Sequence, residues 1–268
     1  MGHAARHAPP GGNHVATSGL NPACILLFHG LLGEGERGDR YALPERRFAR
    51  WLRQFRDENR ACASLPRWWA EETPAAGPQL VLAFDDGGES DFQRAFPRLL
   101  EAGQPAVFFI NTARVGAPGY LSWNQIREMR RAGMSIQSHG HDHVALTQLE
   151  TSELDAQLQH SRRCLEDRLG DVVEFLSVPY GFWNRRVHIS ALRAGYRALC
   201  TSQTGLAQPG HTLLPRNAVR RGTSDLGLQA LLRGSRGYFA WRRLRAGALA
   251  APKQLLLRCA PRASQVTG

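Results

Sequence analysis

The sequence predicts an α/β protein built on a parallel sheet, open or closed. Apolar strand-like runs alternate with helical periodicities, several of those runs end abruptly in Gly, Asp or His, and 268 residues suffice for one barrel-sized core without any internal repeat. The central run is Leu80-Val81-Leu82-Ala83-Phe84, which stops at Asp85-Asp86-Gly87-Gly88. In α/β sheets ligands and catalytic groups collect beyond the carboxyl ends of the strands, so the acidic doublet stands where chemistry is expected. An Asp-Gly turn alone would account for it. A second short strand, Met134 to Ser138, runs into His139-Gly140-His141-Asp142-His143 and makes a plain turn the weaker reading.

Taken in order, Cys24-Ile-Leu-Leu-Phe28 reads as a first buried strand ending in His29-Gly30. Pro44 opens a helix with Phe48, Trp51, Leu52 and Phe55 at helical spacing. The strand Gln79 to Phe84 follows, then a helix through Phe92, Phe96 and Leu99-Leu100 that Pro97 is expected to break or kink, then the β-rich run Ala106 to Ile110. Trp123 to Ala132 is helical and is stopped by Gly133. Thr151 is positioned to cap a long amphipathic helix with Leu154, Leu158, Ser161, Leu165 and Leu169 on one side, ended by Gly170. Val172 to Leu176 forms a strand, Pro179-Tyr180-Gly181 a turn, Val187 to Ala194 a helix, and Tyr196 to Thr201 a strand.

The five cysteines (Cys24, Cys62, Cys164, Cys200, Cys259) are odd in number, widely spaced and without a Cys-x-x-Cys pair, which argues against a disulfide framework or zinc ribbon and for a reducing compartment. Residues 1–23 contain no apolar signal core, the run Cys24 to Phe28 is too short to span a bilayer, and Arg6 breaks the myristoylation pattern behind Gly2. The expectation is a cytoplasmic protein with a disordered lead (1–23), one catalytic domain (24–235) and a basic amphipathic segment (236–268). Of the net charge of +11, the stretch from Pro215 to the end contributes +10, with eleven basic residues against Asp225. Aromatic residues interleave with these arginines only at Tyr238, Phe239 and Trp241, too thinly for a nucleic-acid interface. Two placements of the tail stay open: contact with an anionic membrane surface, or a last helix packed on the core with solvated arginines.

Four segments therefore bring chemistry to one presumed rim: His29, Asp85-Asp86, the histidines at 139, 141 and 143, and Pro179-Tyr180-Gly181. Catalytic zinc commonly takes three His or carboxylate ligands and leaves a position for water, a count that one Asp and two His meet. On a helical turn His139 and His143 would share a face; on extended chain His139 and His141 would.

Phe84-Asp85-Asp86-Gly87, Ser138-His139-x-x-x-His143 and Phe175-x-x-x-Pro179-Tyr180-Gly181, in this order, resemble the first three motifs of the polysaccharide deacetylases, the NodB-homology group or carbohydrate esterase family four. The similarity spans Ile25 to Arg216 and is strongest to the poly-N-acetylglucosamine deacetylase branch, whose first strand also ends in a histidine. The resemblance implies a distorted, incomplete (β/α) barrel related to the TIM barrel. It implies a divalent metal, zinc by preference, on Asp86, His139 and His143, with Asp85 as catalytic base, the Tyr180 backbone N–H at the oxyanion, and His29 as general acid. The expected activity is removal of N-acetyl groups from N-acetylglucosamine units of a polysaccharide or lipid-linked saccharide.

Three departures stand out. Ser177 occupies the place of the family's arginine, for which Arg216 in Leu213-Leu214-Pro215-Arg216 is the substitute to consider; no Asp-x-Asp-Trp follows Thr201; and no Leu-x-His lies near the end, His211 sitting in a Gly-Pro loop. These motivate a second reading, an inactive carbohydrate-binding pseudoenzyme of the same fold. A third, an amidohydrolase-type metal barrel using His139-x-His141, fits less well because that pair does not lie on an early strand. His3, His7, His14, His160 and His188 are expected to be solvated.

Overall fold

The structure is a computed structural model in which residues 21–60, 62–70 and 78–245 are described. The lead up to residue 20, the tail from 246, Cys259 and His3, His7 and His14 lie outside the described residues.

The first strand, β1 (Ala23–Phe28), is followed by two short strands, β2 (Leu31–Leu32) and β3 (Leu43–Pro44), and by α1 (Glu45–Asp57) and α2 (Leu65–Ala70). Pro44 stands at the N-cap of α1, and Phe48, Trp51, Leu52 and Phe55 form its buried stripe, as the spacing predicts. Next come β4 (Gln79–Phe84), α3 (Phe96–Glu101), β5 (Val107–Ile110), α4 (Trp123–Arg131), β6 (Ser135–Ser138) and α5 (Thr151–Leu169). The chain continues through β7 (Phe175–Ser177), α6 (Arg185–Arg193), β8 (Ala198–Cys200), β9 (Leu213–Leu214), β10 (Asn217–Ala218) and α7 (Asp225–Leu232).

The main sheet is parallel throughout, with strand order β10-β1-β4-β5-β6-β7-β8-β9. Its two end strands are consecutive pieces of one stretch: Leu213–Leu214 pairs with β8, and after Pro215-Arg216 the chain pairs with β1. The sheet is thus curled into an incomplete (β/α) barrel whose two edges meet at a two-residue break.

Strand parity separates two cores. Ala23 and Ile25, Val81 and Ala83, and Val107 and Phe109 gather with Phe175, Ala198, Cys200 and Leu214 in the barrel interior. The alternate residues Leu26 and Phe28, Leu82 and Phe84, and Phe108 and Ile110 face the helices. There the rings of Phe28, Phe84 and Phe108 stack in sequence at 5.1 and 4.9 Å, and Phe48 from α1 packs edge-on to the first two at 5.3 and 5.7 Å. Each such pair adds ~0.5–1.5 kcal/mol beyond area burial and fixes the central strands against α1.

Several boundaries differ from expectation for local reasons. Pro97 does not break its helix; it sits in the first turn of α3, behind a π-helical turn at Asp91–Ala95, and Leu100 faces solvent. The N-cap of α5 is Glu150, whose N–H donates to the Glu153 carboxylate at 3.1 Å, leaving Thr151 as the first helical residue; the predicted stripe from Leu154 to Leu169 is buried as expected. Val172 is 60% exposed, so β7 begins only at Phe175, and β8 is trimmed to three residues. Residues 236–245 are helical; Phe239 packs into the core and Arg242 donates to the carbonyl of Ala218 at 2.7 Å, while Trp241 and Leu244 stay exposed.

Candidate metal and catalytic site

Parity along the strands continues one step past their ends and selects the residues that face the barrel mouth. Two residues beyond Ala83 comes Asp85, beyond Phe109 comes Asn111, beyond Gln137 comes His139, and beyond Phe175 comes Ser177; all four are buried. Asp85 is aligned by its N–H, which donates to the carbonyl of Phe28 at 3.0 Å, and His139 by its own to Ile110 at 2.8 Å.

Asp86 cannot follow the pleat. Its φ is 79°, and Gly87 after it has φ 67°, with the Ile110 side chain 3.2 Å from where a Cβ would stand. This turn carries the Asp86 carboxylate toward the histidines: its Oδ1 lies 3.2 Å from His139 Nε2 and 3.0 Å from His143 Nε2. The loop after β6 is neither a helical turn nor extended chain. Gly140 (φ 77°) and His143 (φ 53°) are left-handed, and this double turn brings His143 beside His139, ring centroids 5.1 Å apart.

The donor set suits a divalent metal. The three ligand atoms lie within 4.8 Å of one another, and ligands at ~2.0–2.1 Å from a tetrahedral ion would stand roughly 3.3 Å apart, close to the spacings to Asp86. His139 Nδ1 donates to the carbonyl of Ser177 at 2.9 Å, which leaves the Nε2 lone pair facing Asp86; such a partner fixes the tautomer a metal needs. Burial raises the Asp86 carboxyl, but the hydrogen bonds and charges of the two imidazoles outweigh it and hold it well below the usual carboxylate range. Burial lowers His139, and the charges of Asp85 and Asp86 reverse that and raise it.

Asp85 is engaged elsewhere. Arg216, fully buried, donates from Nη1 to Asp85 Oδ1 at 2.7 Å and from Nη2 to Oδ2 at 2.9 Å. The same Nη2 reaches the Ser177 hydroxyl at 2.8 Å, that hydroxyl donates to Asp85 Oδ2 at 2.9 Å, and Arg216 Nε donates to the Thr201 carbonyl at 3.2 Å. Its guanidinium lies over Phe109, 5.2 Å from the ring centroid. Burial would raise Asp85, yet the Arg216 charge, His139 and the hydrogen bond from Arg216 bring it below the usual range. The small Ser177 thus stands against a guanidinium that arrives from the β9–β10 break.

His29 is half-buried, its ring 4.9 Å from that of Tyr41 and its Nδ1 out of reach of solvent without a hydrogen-bond partner among the described residues. Burial lowers its pKa, although the charges of Asp85 and Asp86 pull the other way. Tyr180 has φ 60° and lays its ring against His143, centroids 4.8 Å apart. His141 turns away: Nδ1 pairs with the Thr112 hydroxyl at 2.8 Å, and the ring meets exposed His160 at 4.2 Å. His188 is not solvated as expected but half-buried, its Nε2 3.0 Å from the Thr212 hydroxyl, and His211 is exposed away from these groups.

Two groups escaped the sequence reading. Asn111 and Asp91 are buried, and their side-chain polar atoms lack partners among the described residues; burial, then the charges of Asp86 and Asp85, push the Asp91 carboxyl well above its usual range. Strand parity was a signal for Asn111. None existed for Asp91, which sits in a π-helical turn.

Residues 72–199 match the sequence model of the polysaccharide deacetylase family. Over those residues the chain is similar to the polysaccharide deacetylases. A curated relative named as a polysaccharide deacetylase, YxkH of Bacillus subtilis (strain 168), is 23% identical over 199 residues, covering 73% of this chain and 70% of its own length. Among solved structures, the Streptococcus pyogenes deacetylase PplD in complex with acetate superimposes with a TM-score of 0.74 at 22% identity, covering 80% of this chain and 99% of that one. IcaB from Ammonifex degensii gives 0.69 at 24% identity over 80% and 97% of the two chains. These structures establish the shared polysaccharide deacetylase fold. No described helix is long and apolar enough to cross a membrane.

Removing the guanidinium at Arg216 strands a buried carboxylate, at a cost of about 3–5 kcal/mol. Arg216→Gln should lower unfolding stability by that order in urea at neutral pH. Because Asp85 is depressed in the folded wild type, its contribution is present above the unfolded carboxylate pKa and is lost as pH falls through the folded value. The gap between wild type and variant should therefore narrow on acidification; a gap that is constant with pH would show that the loss is one of packing alone.

Proposed function

We propose that the protein is a metal-dependent N-deacetylase acting on N-acetylglucosamine units of a polysaccharide or lipid-linked saccharide. The observation that carries this reading is the divided role of two consecutive carboxylates: Asp86 turns to His139 and His143, while Asp85 turns to Arg216 and Ser177. One is then a ligand and the other is free to be a base.

An amide is a poor electrophile. A divalent ion on Asp86, His139 and His143, with zinc favoured by two imidazoles and a carboxylate, would polarise the amide carbonyl and make a water acidic near neutral pH. Asp85 accepts the water's proton. The ion pair with Arg216 keeps it ionised but also makes it a weak base, so the scheme depends on a water already acidified. The Tyr180 N–H, in the role the resemblance assigns it, stabilises the developing oxyanion; its left-handed backbone and its ring against His143 support that placement. His29 protonates the leaving sugar amine. The inactive, carbohydrate-binding alternative has less support, since Arg216 supplies the guanidinium that Ser177 lacks.

The assignment of ligand and base is tested by metal analysis with a free-amine assay. His139→Ala should purify metal-poor and His141→Ala metal-replete, while Asp85→Asn should keep its metal and lose most turnover; metal loss in Asp85→Asn would make Asp85 a ligand instead.

For His29 the discriminating measurement compares leaving groups. His29→Ala should lose about a hundredfold or more on an N-acetyl amide and much less on an activated aryl ester, whose leaving group needs no proton. Since the protonated form acts and burial lowers its pKa, wild-type activity on the amide should fall with rising pH before the ordinary histidine range is passed. Equal losses on both substrates would move the acid role to another residue.

The reading places the protein at the cytoplasmic face of a membrane, where exposed Trp241 and Leu244 beside Arg245 would meet anionic lipid. Cosedimentation with anionic liposomes at low salt should show binding that falls with added salt, and no binding at low salt would refute it.

A further inference from the structure

Beside His29 the barrel mouth carries a group of cations that the reaction above does not use. The ring of Tyr41 packs on His29, and two guanidinium groups lie over that same ring, Arg40 at 4.9 Å and Arg220 at 5.4 Å from its centroid. Arg220 stands two residues past the end of β10, after Val219, whose N–H donates to the Leu27 carbonyl of β1 at 2.8 Å, so its place beside β1 follows from the sheet order. Arg242, from the helical stretch 236–245, reaches the same strand through its bond to the Ala218 carbonyl.

These cations lack counter-charges. Among the described residues no carboxylate lies within 4 Å of Arg40, Arg220 or Arg242, whereas Arg94 and Arg98 nearby are paired with Glu36, Glu45 and Glu101. Arg220 Nε and Arg242 Nη1 are buried donors without an acceptor among the described residues. Such orphaned charged donors are costly unless something accepts from them. Burial lowers Arg242, and the Arg220 charge lowers it further, as expected of crowded cations. The group is also preorganised: Arg221 N donates to the Arg40 carbonyl at 3.0 Å and Arg221 Nη2 to that of Gly38 at 2.7 Å, tying the loop before Tyr41 to the chain after β10.

We propose that Arg40 and Arg220, which lie over Tyr41, with Arg242 close enough to Arg220 to feel its charge, form a subsite for an oxyanion, a phosphate or a carboxylate, carried by the saccharide next to the sugar being deacetylated. Guanidinium groups suit this task because their forked donors match phosphate and carboxylate oxygens, and the His29–Tyr41 contact sets the anion one ring away from the residue assigned to protonate the amine. The substrate would then be an anionic glycan. That assignment rests on the deacetylase reading; the anion site itself does not.

The test has two arms on the zinc-loaded full-length protein. In the first, binding of inorganic phosphate is measured by calorimetry for wild type, Arg220→Gln, Arg40→Gln and, as a distant control, Arg130→Gln, which pairs with Asp171 on another face. Loss of one charge-assisted contact should weaken binding about tenfold in the first two variants and leave the control unchanged. Arg40 is exposed, so its variant reads the contact without disturbing the fold. Phosphate affinity unchanged in both variants would place the anion on the metal and overturn the subsite, as would absence of binding in wild type. In the second arm, deacetylation of neutral N-acetylglucosamine oligomers is compared with that of their 1-phosphates and of N-acetylmuramic acid oligomers. A lower KM for one charged series, at similar kcat and lost in Arg220→Gln, is expected, and the series that gains identifies phosphate or carboxylate. Equal KM for all three would overturn the substrate assignment. Arginine-dependent phosphate binding with no saccharide turned over would instead sink the deacetylase reading and leave the anion site standing.

Discussion

The ion pair between Arg216 and Asp85 organises this barrel mouth. Both groups are almost wholly removed from water, so their charges carry a desolvation cost of several kcal/mol each, which their mutual attraction offsets only with good geometry and further hydrogen bonds. Those conditions are met by the bidentate contact, the Ser177 hydroxyl and the Thr201 carbonyl. The pair bridges the end of β4 and the break between β9 and β10, while Ser177 brings in β7 and, through its carbonyl, His139. A chemically costly contact inside the barrel thus ties the orientation of Asp85 to that of the His139 imidazole.

A second constraint acts on the backbone. Among the described residues only four non-glycine residues have positive φ, and three of them, Asp86, His143 and Tyr180, lie at the candidate site. Each costs of order 1 kcal/mol or more, and each re-aims a side chain or peptide that regular strand geometry would direct elsewhere. Asp86 is the clearest case. A pleated continuation would send two consecutive carboxylates to opposite faces, whereas the left-handed turn at Asp86 leaves Asp85 inside and delivers Asp86 to the histidines. Strain at these positions is the means by which one doublet serves two environments.

Much of the architecture was legible in the chain itself. The buried stripes of α1 and α5, the strands ending at Phe28, Phe84, Ile110 and Ser138, and the helix stop at Gly170 follow from local periodicity and turn chemistry. The errors were also local. Apolar Val172 looked like strand but lies in solvent, Glu150 outcompeted Thr151 as a cap, and Pro97 fitted a helix start where it was expected to break one. The candidate site was legible as a set of residue types at strand ends, together with the motif order that singles out Asp86, His139 and His143.

The sequence determined the α/β class, the parallel sheet and which residues reach the carboxyl ends of the strands, because those depend on patterns only a few residues long. It left open whether His141 or His143 joins His139, since both extended and helical spacing were compatible with the chain; two left-handed residues decided in favour of His143. It named Arg216 as a substitute for the family arginine but could not place it, for 131 residues separate Arg216 from Asp85. Only the tertiary structure brings them together, because strand order and the curl of the sheet decide which distant side chains share the barrel interior. Asn111, Asp91 and the arginines around Tyr41 belong to the same class: their chemistry is readable in one dimension, but their neighbours exist only in three.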